Sequence, residues 1–201
     1  MKMQSAVIGL FSLLCLHAHA EDDPWLLRLR AVHISPANKS DPVGGAGAPD
    51  RITVSDKTIA EFDFSYLFTP NWAAELVLTY PQKHDAMLDG AKIGTFKHVP
   101  PTLLAQYRFP LDGPVTPYVG AGLNYTNMAK VELLNGAGGL DHKSWGPALQ
   151  AGLDFRIDRR WSFNLDVKKV QIRSDVYLSG ARISAVRVDP LLVGMGLGYR
   201  F

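Results

Sequence analysis

The sequence is poor in cysteine, in long apolar runs and in charge of one sign. Its single cysteine, Cys15, lies within the first 20 residues. Those residues read as a secretory signal that is removed: Lys2 gives the positive start, Val7 to Leu16 the short apolar stretch, and Ala18-His19-Ala20 the small-x-small cleavage site before Glu21. The chain expected to remain, one domain over 21–201, has no thiol, which excludes a disulfide framework, thiolate metal sites and a cysteine nucleophile. No later stretch approaches the roughly 18 apolar residues of a membrane-crossing helix. With 21 basic against 19 acidic side chains there is no pull toward nucleic acid, and no nucleic-acid partner is expected. Phosphate loops and nucleophile elbows are missing too. His84, His98 and His142 stand singly without metal-ligand spacing and read as solvated loop residues, so no metal or cofactor is expected. An exported chain without a helical anchor is either a soluble secreted protein or an outer-membrane barrel.

What the sequence does have is alternation. A segment whose odd and even side chains differ in kind is a strand between two unlike environments. Eight such segments can be read, at about 25–34, 58–68, 72–80, 98–109, 117–127, 145–157, 161–174 and 187–201. In the second, Phe62, Phe64, Tyr66 and Phe68 alternate with Glu61, Asp63 and Ser65; in the last, Leu191, Val193, Met195, Leu197, Tyr199 and Phe201 oppose Gly194, Gly196, Gly198 and Arg200. In the seventh the phase slips at Lys169, which predicts a bulge or an exit from the membrane. Short connections at Thr69-Pro70-Asn71, Pro110 to Thr116 and Asp158-Arg159-Arg160 alternate with long ones at about 35–57, 81–95, 128–144 and 175–186. The pattern predicts an all-β fold: an eight-stranded antiparallel up-and-down transmembrane β-barrel with short periplasmic turns and longer extracellular loops.

A soluble eight-stranded calyx shares the strand count but points its larger apolar face inward. Here the aromatic residues of the apolar face collect beside the short turns (Phe68, Trp72, Phe109, Phe155, Trp161, Phe201). A thinner group (Tyr80, Tyr125, Trp145) lies about eight to ten residues away along the strands. That separation matches the apolar band of an outer membrane and places lipid outside. The opposite face is mostly glycine, alanine and charge.

The interior of such a barrel is only wide enough for side chains or one small ligand. Near the short turns the inward positions carry Arg28, Arg30, Glu61, Asp63, Glu75, Arg108, Asp154, Arg156, Asp166, Lys168 and Arg200. Opposite charges in a closed space should pair, because a buried unpaired charge is costly; of these, Arg28, Glu75, Arg108, Asp154, Arg156, Asp166, Lys168 and Arg200 are assigned to a periplasmic plug. Toward the long loops the inward residues become small or apolar, and Val77, Leu104, Ala148 and Leu192 are assigned to a channel lining. A funnel apolar above and charged below suits a hydrophobic solute better than an ion or a sugar, although the same residues would also pack a solid barrel. His98-Val99-Pro100-Pro101 is the oddest local feature. Two prolines in strand four offer no amide hydrogens, and in lipid each unpaired backbone group costs several kcal/mol. The motif is either a side opening in the wall or a pairing terminator just above the bilayer.

These residues carry a resemblance. Lys97-His98-Val99-Pro100-Pro101-Thr102-Leu103-Leu104-Ala105-Gln106-Tyr107, Pro117-Tyr118-Val119-Gly120-Ala121-Gly122-Leu123-Asn124-Tyr125-Thr126, Ser144-Trp145-Gly146 and the terminal Gly198-Tyr199-Arg200-Phe201 resemble the OmpW family of outer-membrane proteins, with its AlkL-type and OprG-type members. The likeness runs over essentially the whole chain after the leader. It implies a bacterial outer-membrane channel that passes small hydrophobic molecules and opens laterally near the strand-four prolines. Membrane lipid, hydrophobic solutes and, through the aromatic C-terminus, the outer-membrane assembly machinery are the implied partners. Asp166 and Lys168, pointing inward in strand seven, depart from a wholly apolar duct. Two other function classes stand beside this one. His33-Ile34-Ser35 has the His-x-Ser spacing of a lipid-modifying barrel enzyme, a weak motif, and no enzymatic activity is expected. The long loops would alternatively suit a receptor or anchor at the surface.

Overall fold

A computed structural model describes residues 23–201; the leader assigned to 1–20 lies outside the described residues. Eight strands form the barrel: β1 (Trp25–Ser35), β2 (Lys57–Leu67), β3 (Trp72–Thr79), β4 (Thr102–Arg108), β5 (Val115–Leu133), β6 (Lys143–Arg156), β7 (Trp161–Val170) and β8 (Leu191–Arg200). Each pairs antiparallel with its neighbours, and β8 returns to β1 with Leu27 opposite Tyr199 and Val32 opposite Gly194. The termini of the sheet close on each other, the Trp25 and Phe201 amides each donating to the other's carbonyl at 3.2 and 2.9 Å. Closure gives every strand two partners and leaves no open edge.

Burial settles which side meets lipid. Leu103, Leu123, Leu149 and Trp145 are 59–69% exposed, whereas Arg28, Arg30, Glu75 and Lys168 are at most 1% exposed. A water-soluble calyx would show the reverse. Trp72, Phe109, Trp161 and Phe201 lie exposed beside the short turns, and Tyr80 and Trp145 at the other end. Ten residues separate Phe155 from Trp145 on β6. At the rise of a β-strand and the usual barrel tilt that distance corresponds to roughly 25 Å of membrane thickness. The barrel therefore contacts lipid around its whole girth.

The long connections differ from the loops read in the sequence. β5 continues to Leu133, far beyond the upper aromatic ring, and two hairpins, Gln82–Leu88 with Ala91–Val99 and Arg173–Leu178 with Ala181–Arg187, stand above the barrel as extensions of its wall. Ile52–Val54 adds to the first hairpin and Gly138–Leu140 to the second. This crown has its own apolar centre, Val54, Ala86, Phe96 and Leu133, with Ile52, Val176 and Val186 beside it. Strand four, read as 98–109, is divided at Pro100-Pro101 into the end of the first hairpin and β4, because neither proline can donate to a ladder. Strand seven ends at Val170 rather than 174, and the Asp189 carboxylate caps the Ile172 amide at 2.9 Å where the chain turns out.

Glycines inside the wall make room for bulk opposite. A Cβ on Gly152 would enter the Tyr118 ring, and one on Gly122 would strike the Leu103 carbonyl and the Leu104 backbone. Gly122→Val should therefore lower the stability of the refolded barrel by about 1–3 kcal/mol, the usual penalty of overpacking. Gly113→Ala, at a turn with open space around the position, should stay within about 0.5 kcal/mol. Urea unfolding in detergent micelles reads both, and equal losses would refute the packing argument.

Candidate functional site

The lower half of the interior is filled by one ion-pair network. From β1, the Arg28 guanidinium contacts Asp63 of β2 at 3.2 Å and Asp154 of β6 at 2.7 Å. Arg30, two residues on and therefore on the same inward face, touches four carboxylates: Glu61 at 3.1 Å, Asp63 at 2.6 Å, Glu75 at 2.6 Å and Asp166 at 3.1 Å. Lys168 bridges Glu61 and Asp166 at 2.6 and 2.8 Å, and Arg108 meets Asp154 at 2.8 Å. Neutral groups complete it. The Tyr118 hydroxyl donates to Asp166 at 2.8 Å, Gln150 donates to Asp166 at 2.7 Å, Gln106 donates to Glu75, and the Arg28 guanidinium lies 5.2 Å from the Tyr118 ring centre.

Arg28, Glu75, Arg108, Asp154, Asp166 and Lys168 thus come together with Arg30, Glu61 and Asp63. Arg156 and Arg200, assigned to the same plug in the sequence, lie at its periplasmic edge, lining one recess with Arg108 and Asp154. Both sit at the last paired positions of their strands: Arg156, opposite Ser162, is exposed and donates to the Gly113 carbonyl at 3.1 Å, and Arg200, opposite Leu26, donates to the Asp23 carbonyl at 2.7 Å. Tyr118, Gln106, Gln150 and Asn164 belong to the network without having been singled out. For Gln106, Gln150 and Asn164 the signal was parity with the charged inward positions of their strands; Tyr118, on a strand whose inward residues are glycine, asparagine and threonine, had no such signal.

Above the network lies an apolar chamber of about 700 Å³ of empty space, mouth included. Its floor is Lys168 and Glu61, the top of the charged layer; its sides include Ile34, Ile59, Val77, Met128, Val170 and Leu192, and the crown roofs it with Val54 and Phe96. Of the four residues assigned to the lining, Val77 and Leu192 face the chamber, while Leu104 and Ala148 pack beside Val77 in the cluster at its wall. The crown's contribution was invisible in the sequence because it depends on how the hairpins fold back over the mouth.

The wall of this chamber is interrupted. The β3–β4 ladder runs from Trp72 opposite Tyr107 to Val77 opposite Thr102, and pairing resumes only at Gln82 opposite His98. Between these points 78–81 and 99–101 form no ladder pair with each other, although Leu78 and Thr79 still pair with β2 and Val99 with β5, and Pro81, Pro100 and Pro101 stand in the gap. The defect is one-sided. Toward β5 the proline carbonyls are satisfied: Pro101 accepts from the Tyr125 amide at 3.0 Å, and the Asn124 side chain donates to both prolines at 3.3 Å. Pro100 and His98 line the chamber, so the interruption lies at chamber height.

Two histidines read as solvated are buried instead. His84 and His98, 1% and 9% exposed, stack with ring centres 4.8 Å apart, because the hairpin carrying them turns both inward. Burial pushes the His84 imidazole below its ordinary range and holds that of His98 down at about 3. His142 lies at the base of the crown with its Nδ1 3.0 Å from the Met128 carbonyl. His33, of the His-x-Ser motif, is on the outward face with its Nδ1 3.0 Å from the Thr58 hydroxyl.

A closed antiparallel barrel with leucine outside, paired charge inside and an aromatic ring at each end is a protein of the bacterial outer membrane. Comparison with known proteins makes this more specific. The chain belongs to the OmpW family, whose model matches residues 22–201. It is 36% identical over 185 residues to an uncharacterized outer-membrane protein, y4mB, of Sinorhizobium fredii, covering 89% of this chain and 80% of that one. It is 30% identical to the dibenzothiophene metabolism operon protein PahQ of Pseudomonas aeruginosa, over 95% of this chain and 96% of that one. The crystal structure of the outer membrane protein OprG from Pseudomonas aeruginosa superimposes with a TM-score of 0.78 at 27% identity, covering 89% of this chain and 96% of that one.

Arg30 is the hub of the charged layer, so Arg30→Ala should leave four buried carboxylates short of a partner and destabilise the barrel by roughly 3–5 kcal/mol. Adding Asp63→Asn to that variant should cost less than the same change in the unaltered protein, since the pair is already broken. A double-mutant cycle by urea unfolding checks this, and strict additivity would show that the two groups do not interact.

Proposed function

We propose that this barrel admits small hydrophobic molecules from outside the cell, that the charged layer halts them, and that they leave through the gap between β3 and β4 into the bilayer. One observation carries the reading: the apolar chamber is closed below by ion pairs and is breached at its side, at the same height, by a proline-bearing break in the ladder. An apolar solute gains nothing from the charged layer, whose partners would have to be separated to let it pass. The lateral route requires no such rupture, because its backbone pairs are already missing. His98, Val99, Pro100 and Pro101 form one lip of that gap, Val77 and Leu192 the surface a solute meets first, and Leu104 and Ala148 the packing that holds Val77 in place. The name of the relative PahQ, from a dibenzothiophene metabolism operon, agrees with an apolar aromatic cargo. The exposed terminal Phe201 is the group we assign to recognition by the assembly machinery during insertion.

Replacing Pro100 and Pro101 together by alanine restores an amide donor on each side of the segment, that of residue 101 toward β5 and that of residue 100 toward 78–81, and should let the ladder close. Uptake of an alkane or naphthalene into cells or proteoliposomes carrying the double variant should then slow severalfold relative to the unaltered protein. Unchanged uptake by a normally folded variant would defeat the lateral route.

A further inference from the structure

The chamber is apolar but not featureless, and its polar atoms fall into two groups. Most are engaged with one another. Lys168 holds Glu61, the Thr126 hydroxyl donates to Asn124 at 2.7 Å, and Asn124 donates to Thr102 at 2.8 Å. Two others that line the same space, His84 Nε2 and Thr79 Oγ1, are buried and have no hydrogen-bond partner. Buried polar atoms without partners are uncommon and destabilising, and at a cavity they can be completed by a water or by a polar group of a ligand. Gln82 Oε1, two residues from His84 on the same inward face, is a third such atom.

Their chemistry has a direction. His84 Nδ1 lies 2.9 Å from the Ser55 carbonyl. A carbonyl can only accept, so Nδ1 carries the hydrogen. A neutral imidazole has one N–H, which leaves Nε2 a bare acceptor. Burial keeps the ring neutral. Gln82 Oε1 is likewise an acceptor, and the Thr79 hydroxyl serves either way. The site therefore has more acceptors than donors. Both lining atoms sit beside the interruption in the wall, Thr79 within its lower strand end and His84 two residues above the resumed pair Gln82 and His98. The stacked rings of His84, His98 and Phe96 give a flat apolar surface next to them.

We propose that the chamber binds hydroxyl-bearing hydrophobic molecules, alcohols or phenols, with the ligand's one O–H donated to either of the two lining acceptors, His84 Nε2 or Thr79 Oγ1, beside the gap, in preference to hydrocarbons or ethers of the same size. This deepens the uptake reading and rests on it. It makes the gap a docking point as well as an exit: the apolar body lies in the chamber while one hydroxyl is held at the wall. A site built around unpaired acceptors discriminates against analogues that lack the donor, because binding these leaves the acceptors buried and unsatisfied.

The test compares 2-naphthol with its methyl ether, which keeps the ring and the oxygen but loses the O–H. Protein-specific binding is measured on the full chain in nanodiscs, with empty nanodiscs of the same lipid subtracted. The expected preference for the naphthol is about tenfold, the scale of one buried hydrogen bond. His84→Phe, which keeps a stacking ring, and Thr79→Val, which keeps the shape, should each move that ratio severalfold toward one. The second variant covers the case in which the first fails to fold. Equal binding of the two ligands by the unaltered protein, or a ratio that both folded variants leave intact, would overturn the proposal while the hydrophobic channel stands. Binding of neither ligand above the empty discs would overturn both.

Discussion

Hydrocarbon offers no hydrogen-bond partner to a peptide group, and the rest of this structure follows from that requirement. Eight strands close on themselves so that each backbone finds its partners within the wall, down to the reciprocal bonds between Trp25 and Phe201. Once the sheet is closed, every second side chain must face either lipid or a narrow interior. Leu103, Leu123 and Leu149 accept the first environment; glycines, polar residues and charges take the second. The break between β3 and β4 is conspicuous because it relaxes the rule that governs everything around it. It is tolerated by being placed at the top of the membrane, with the proline carbonyls held from the β5 side.

The interior obeys a second requirement, that charge removed from water must find opposite charge. The network meets it by crossing the barrel. Arg30 on β1 reaches carboxylates on β2, β3 and β7, and Arg28 reaches β2 and β6. Such contacts tie strands that share no ladder, so the charged layer braces the barrel across its bore as the hydrogen bonds brace it around its circumference. The bulk of the arginines and of Tyr118 is admitted by glycines facing them: Gly152 lies under the Tyr118 ring, and Gly198 faces Arg28. Glycine on the inward face is thus the counterpart of arginine and tyrosine there, and both answer the same volume constraint.

Period-two patterning made the barrel legible, since a one-residue register error would turn Arg28 and Arg30 toward lipid and Leu27 and Leu29 into the bore. Strand count, turn positions, facing and the charged floor could all be read from residues within one strand or one turn. Features that depend on how separate segments fold back could not. His84 and His98 looked solvated because the sequence places the first in a long connection and the second at the loop end of strand four; only the hairpin pairing of Gln82–Leu88 with Ala91–Val99 stacks them and turns them inward. Arg156 and Arg200 have the inward parity of the plug residues but lie too close to the rim, and parity carries no information about depth. The crown was hidden for a related reason: its strands are short, interrupted by glycine turns and bulged at Ala86–Met87 and Val176–Tyr177, so their alternation fades in the sequence.

The vertical order of these features determines what the barrel can do with a solute. If the charged layer sat above the ladder break, an apolar molecule entering from the crown would meet ion pairs before it met the gap, and the gap would open onto a polar interior. The observed order is the opposite. Lys168 and Glu61 form the floor of the chamber, and Pro100 stands in its side. For the solute of the proposed route, descent would require Lys168 to separate from Glu61 and Asp166, whereas sideways movement would pass from one apolar environment to another. On the proposed route direction would come from the contrast between floor and wall, and it would be set by three elements of the sequence: inward charge low on β1 to β4, β6 and β7, aliphatic residues above it, and prolines at the junction of the first hairpin with β4.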